Sequence, residues 1–235
     1  MKCAAPPSPM QFETLVDRPP YRALALPGTS TDLVISFASI GHDPGRIPAP
    51  EFARSATAGN RPALFILDAS RSWTTAPGFA ETLTAALTIL QTRQPLARTL
   101  ALGTSMGAFA ALKAAEILPL TAILAISPQY HPAARWETRW RDWTASLPET
   151  LSAARPQSYT CLMHGTLDDA VQADLFPRHQ SHDHFLFAGQ THATLAPHLK
   201  SQGIAGMIEA ALSQDRRRLL RILASAGGHR RQLPR

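Results

Sequence analysis

Seven short apolar and β-branched runs punctuate the chain: Tyr21–Leu26, Leu33–Ala38, Ala63–Leu67, Thr99–Leu102, Ala122–Ile126, Tyr159–Met163 and His184–Phe187. Runs of this length, apolar at nearly every position, suit strands buried on both faces. Longer stretches between them predict helices over Glu51–Ala58, Phe79–Gln91, Gly107–Leu118, Ala133–Ala145, Thr194–Leu199 and Gly203–Leu212. Strands alternating with helices predict an α/β fold: a mostly parallel sheet with helices on both faces. Such sheets bind ligands beyond the carboxyl ends of their strands. The residues just after each run are therefore where chemistry should lie.

Composition adds limits. At 235 residues, 45% hydrophobic and 17% charged, the chain can bury one sizeable α/β core and is too apolar to be disordered. The two cysteines, Cys3 and Cys161, make neither a disulfide framework nor a cysteine metal site. No run approaches the ~20 apolar residues of a membrane span. The opening stretch lacks the apolar region of a signal peptide, so the cytoplasm is the expected location.

The net charge of +6 and pI near 10.0 suggest a nucleic-acid or membrane-surface partner. Its location argues otherwise. Seven arginines (216, 217, 218, 221, 230, 231 and 235) and one acid fall in residues 215–235. The remaining 16 basic and 16 acidic groups balance over the first 214 residues. The expected division is an extension over 1–20, a domain over 21–214 and a basic tail over 215–235. The tail could continue the last helix to Ala226, with Gly227 and Gly228 ending it. A solvated, partly frayed end is the preferred reading over a nucleic-acid or lipid contact.

After Thr99–Leu102 comes Gly103-Thr104-Ser105-Met106-Gly107, then a predicted helix. This G-x-S-x-G lies where a tight strand-to-helix turn would lift the serine off the sheet edge. The glycines remove Cβ atoms where helix and strand crowd. The helix N-terminus would place free N–H groups beneath the serine, the Met106 amide first. A serine nucleophile needs a base, and the base an orienting carboxylate. Following Tyr159–Met163, His164-Gly165-Thr166-Leu167-Asp168-Asp169 offers two carboxylates, of which Asp168 is preferred over Asp169. Following His184–Phe187, Gly189-Gln190-Thr191-His192 offers the base, expected on a loop before a helix. His164 reads as a packed core histidine. His182-Asp183-His184 lacks the further ligands a metal would need, and no metal site is expected. A second oxyanion donor should follow Leu33–Ala38, in Ala38-Ser39-Ile40-Gly41-His42-Asp43-Pro44-Gly45. Ile40 is the first choice and Ser39 the second.

In these elements and their order the chain resembles the α/β-hydrolase superfamily, over roughly residues 21 to 212. The Ser105 turn is the most specific part. The resemblance implies a Ser105–His192–Asp168 triad acting on an ester, thioester or amide without a cofactor. Its partner would be a small-molecule or acylated substrate. Many members carry His-Gly before the oxyanion loop, where this chain has Ala38-Ser39. A fainter similarity, through Phe37-x-x-x-Gly41 and Asp68-x-x-x-x-Trp73, is to small bacterial hydrolase-like proteins tied to polysaccharide or protein export.

The stretch from about 131 to 157 is a short insert where family members often carry a lid. Trp136, Trp140 and Trp143 would share one face of the predicted helix there, shaping an acyl pocket or packing on the body. Ser39, His42, Arg71, Trp73, Trp136 and Trp140 are the candidate pocket residues.

Overall fold

The structure, a computed structural model, describes residues 10–41 and 43–231. His42 and the tail beyond residue 231 lie outside them. Nine strands form one sheet: β1 (Glu13–Arg18), β2 (Tyr21–Leu26), β3 (Asp32–Phe37), β4 (Ala63–Asp68), β5 (Arg98–Thr104), β6 (Ala122–Ile126), β7 (Tyr159–Gly165), β8 (His182–Phe187) and β9 (His229–Arg230). Their spatial order is β1-β2-β4-β3-β5-β6-β7-β8-β9. The block from β4 through β3 to β8 is parallel. The pairings of β1 with β2, β2 with β4 and β8 with β9 are antiparallel.

Strand alternation sends side chains to two cores. In β4, Leu64 and Ile66 enter one and Ala63 and Phe65 the other. The first core packs α2 (Phe79–Arg93) and α3 (Met106–Ala114) through Leu83, Phe109 and Leu112. The second packs α1 (Ala53–Thr57), α6 (His192–Ser201), α7 (Ile204–Leu212) and α8 (Arg216–Ser225) through Ala56, Leu195, Met207 and Leu219. Both faces are covered, which is why the central strands read as unbroken apolar runs.

All seven predicted strands are present. Two more are not apolar runs. β1 is an edge strand with acidic and basic ends, half-burying only Leu15 and Val16. β9 is two exposed residues. A short helix, α5 (Ala170–Leu175), was also not expected.

Two expectations fail. The predicted helix over 133–145 is mostly turns, with only α4 (Arg141–Thr144) helical. Arg139 grips Glu137 with Nε at 2.9 Å and Nη2 at 2.6 Å. Residues two apart lie on opposite sides of a helix, so this buried clasp requires another backbone. The tryptophan stripe is therefore absent. Trp136 is exposed, Trp140 faces His192, and Trp143 lies against Arg71. The tail is not frayed over its described part. Gln214 turns left-handed at φ 58°, and Asp215 caps α8 by accepting from the Arg218 amide. α8 then buries Leu219 and Leu223 completely. Asp183, wholly buried on β8, receives Arg216 on both oxygens, Arg230 on one and Tyr159 Oη on the other.

Candidate active site

Ser105 ends the turn between β5 and α3 at φ 56°, ψ −125°, a conformation that L residues rarely adopt. A Cβ on Gly103 would meet the Gly107 carbonyl at 2.2 Å, and one on Gly107 would meet Phe37 O at 2.2 Å. Only glycines at both places let α3 start against β5 while crossing the end of β3. Met106 is the first residue of α3, where a helix offers its amide no intrahelical acceptor.

His192 Nε2 lies 2.9 Å from Ser105 Oγ, and its Nδ1 lies 2.8 Å from Asp169 Oδ2. The imidazole stands on the first residue of α6, not on a loop. Thr191 caps this helix through a reciprocal bond with Thr194. A Cβ on Gly165 would meet Gln190 O at 2.4 Å, so glycine there lets the His192 turn close onto the end of β7.

The carboxylate beside the imidazole is Asp169, not Asp168. The Asp169 amide donates to Gly165 O, closing one helical turn after β7. Neighbours on a turn point about 100° apart. Asp169 thus faces inward, and Asp168 stays partly exposed. Asp168 Oδ1 instead accepts the His192 amide at 2.6 Å, satisfying a free N–H at the start of α6. Asp168 supports the helix that holds the imidazole without touching the ring's nitrogens.

The insert completes the acid's surroundings. Arg139 Nη1 lies 2.8 Å from Asp169 Oδ1, and the same guanidinium holds buried Glu137. Gln172 of α5 donates to Glu137 and accepts from the Tyr130 and His131 amides. Burial alone would push the Asp169 carboxyl up. The His192 hydrogen bond and the Arg139 charge hold it below the usual carboxylate range. Burial acts the same way on Glu137, and Arg139 and Gln172 hold it low. The Trp140 ring packs 4.6 Å from the His192 ring.

Around Ser39 and Ile40 the loop is clamped from both sides. Glu51 accepts from both the Ser39 amide and its hydroxyl, so the Ser39 N–H is already committed. The Ile40 amide has no backbone acceptor among the described residues. Its carbonyl accepts from Arg71 Nε at 2.7 Å. Arg71 also donates to the carbonyls of Ala69, Asp43 and Arg46.

Arg71 and Trp73 are thus not pocket residues. Both are buried, and their donors are used within the protein, Arg71's on carbonyls and Trp73's on Gln129. Trp136 does not line the cleft either. Ser39, Ile40, Trp140, Ser105 and His192 do. The cleft is open, about 600 Å³, with Ile47, Pro48, Ala193, Ala196 and Pro197 giving it a mainly apolar wall.

Gln129, which the sequence did not single out, lies 3.0 Å through Nε2 from Ser105 Oγ. It follows β6 outside any motif, and only its position beyond a strand end could have raised it. His164 lies beneath the site. Its Nε2 donates to Pro128 O and its Nδ1 meets His184 Nε2, both at 2.9 Å. Burial holds His164 neutral, down to about 4, and pushes His184 down as well. His182-Asp183-His184 does not converge, because Asp183 turns to the arginines and His184 to His164.

Neither a known family model nor a curated protein sequence matches the chain. Solved structures do. A capsule O-acetyltransferase of Neisseria meningitidis serogroup A superposes with a TM-score of 0.58 at 14% identity, over 79% of this chain and 91% of that one. An esterase of Pyrococcus furiosus gives 0.57 at 12%, over 87% and 91%. A serine hydrolase without lid from Xanthomonas campestris gives 0.52 at 16%, over 88% and 95%. The fold is of the α/β-hydrolase type. Among the described residues of this α/β-hydrolase fold, no helix is long and apolar enough to cross a membrane.

Proposed function

We propose that the protein is a serine hydrolase that cleaves an ester or thioester through an acyl-enzyme on Ser105, with His192 as base and Asp169 as the orienting acid. The observation that carries this is the continuous chain from Ser105 Oγ through His192 to Asp169, with links of 2.9 and 2.8 Å. Fold alone does not fix activity, but a non-catalytic binding protein has no need of this alignment.

In the reaction, His192 Nε2 takes the Ser105 proton as Oγ bonds to the acyl carbon. The carbonyl π pair moves to oxygen, where the Met106 and Ile40 amides receive the charge. Collapse of the intermediate expels the alcohol or thiol, which takes the proton back from His192. Water then repeats the sequence and frees the acid. Asp169 keeps the ring tautomer and stabilises the imidazolium. The apolar part of the cleft wall, Ile47, Pro48, Ala193, Ala196 and Pro197, offers contact area for an acyl chain.

A second reading hands the acyl group to an alcohol or sugar. It is supported by the fainter export-type similarity and by the capsule O-acetyltransferase among the structural neighbours. The test is turnover of nitrophenyl esters of graded acyl length, with and without added alcohols or sugars, and Ser105→Ala as control. Hydrolysis that alcohols do not divert supports the first reading, and ester products support the second. Turnover equal in Ser105→Ala removes both.

A further inference from the structure

Ser105 Oγ has a partner that a triad does not require. Gln129 is fully buried, with Nε2 3.0 Å from Oγ and Oε1 3.2 Å from Trp73 Nε1. Trp73 is itself fully buried, and its backbone is left-handed at φ 48°. An indole nitrogen can only donate. The end of the amide that faces Trp73 is therefore its oxygen, and the end that faces Ser105 is its NH2. Ser105 Oγ then accepts from Gln129, which leaves its single proton to point at His192 Nε2. The imidazole accepts at Nε2, so it carries its own proton on Nδ1 and donates it to Asp169. Arg139, which also can only donate, meets the other oxygen of Asp169. The direction of every bond from Trp73 to Asp169 follows from the group at its start.

We propose that Gln129 is a further catalytic residue of this site, donating an N–H to Ser105 Oγ in both halves of the reaction, and that Trp73 is the positioning residue that fixes its amide. The role rests on the reading of Ser105 as nucleophile. In acylation Oγ loses its proton to His192 while its bond to the acyl carbon is incomplete. In deacylation Oγ leaves with the electron pair of the C–O bond and regains a proton from His192. Negative charge builds on Oγ at both moments. A donor already aimed at it, shielded from water, stabilises that charge with no reorganisation. Between reactions the same bond holds the hydroxyl toward His192.

The test compares Gln129→Met, which keeps the length and removes the donor, with Trp73→Phe, which frees the amide to turn. The readouts are kcat and KM on a nitrophenyl ester, the rate of labelling by a fluorophosphonate, and the thermal midpoint. Gln129→Met is expected to lower both kcat and labelling by about 10- to 100-fold, with KM changed less than about threefold. Trp73→Phe should lower both by a smaller factor in the same pattern. Rates within twofold of wild type for Gln129→Met, or a change confined to KM, overturn the role. Should Gln129→Met fail to fold, Trp73→Phe decides by the same criteria. A wild-type protein that neither turns over an ester nor labels overturns the nucleophile reading, and the role of Gln129 with it. A wild-type protein that labels while the variants match it overturns the role alone.

Discussion

Asp168 and Asp169 are neighbours on one turn, and they have separate jobs. Asp169 meets the imidazole, and Asp168 meets the backbone amide of the same histidine. Asp169→Asn should therefore lower kcat by on the order of 10⁴, because an amide there permits the wrong ring tautomer. Asp168→Asn should cost about tenfold or less, since the asparagine oxygen can still accept the His192 N–H. Steady-state kinetics on both variants checks this, and the reverse order would reinstate Asp168. Sequence spacing could not make the choice. It placed a carboxylate after β7 but could not show that the Asp169 amide closes onto Gly165 O. Ser105 and His192 were legible because each stands at a strand end in a fixed order. Gln129 was not, because a lone glutamine after a strand carries no pattern.

Among the elements, the insert departs most from its helical periodicity. Three tryptophans at helical spacing would share a face, but a buried clasp between Glu137 and Arg139 takes precedence. Local spacing does not register a partner 30 residues away, and Asp169 is that partner. Arg139→Met would leave Glu137 and Asp169 buried without their cation, at a cost of about 3–5 kcal/mol. Adding Glu137→Gln should recover part of this. Denaturant unfolding of the single and double variants measures it, and additive losses would contradict the clasp. The edge strands β1 and β9 escaped notice for a related reason, since an exposed edge needs no apolar run.

In the molecule as a whole, the described part of the basic end, residues 215–231, belongs to the fold. The charge count located it, but only the structure shows Asp183 on β8 collecting Arg216 and Arg230. Deleting residues 215–235 would expose Leu219's and Leu223's partners and leave the Asp183 carboxylate in the interior without its arginines. Each leucine is worth ~1.5–3 kcal/mol in burial, so a loss of at least ~4 kcal/mol is expected once the carboxylate is added. A chain of this size should then melt roughly 8–16 °C lower. A truncated protein with unchanged melting would restore the solvated tail.

The buried pair His164–His184 makes a second prediction at this scale. Both rings stay neutral in the fold, His164 with its pKa lowered from 6.5 to about 4. The unfolded chain takes up protons near pH 6.5, where the folded one does not. Stability is therefore full above that pH and falls on acidification, by about 1.4 kcal/mol per pH unit for each histidine. Urea unfolding between pH 7.5 and 5 should show this slope, and His164→Asn should reduce it by the share of one histidine. An unchanged slope in that variant would contradict the assignment.

Ser105, aligned by His192 and Asp169, is expected to form a covalent acyl-enzyme. The most direct test is the site of fluorophosphonate attachment, read by mass spectrometry of digested protein. One adduct is expected, on the peptide bearing Ser105, absent in Ser105→Ala and formed far more slowly in Asp169→Asn. An adduct elsewhere, equal labelling of Ser105→Ala, or no adduct on the folded wild-type protein would contradict it.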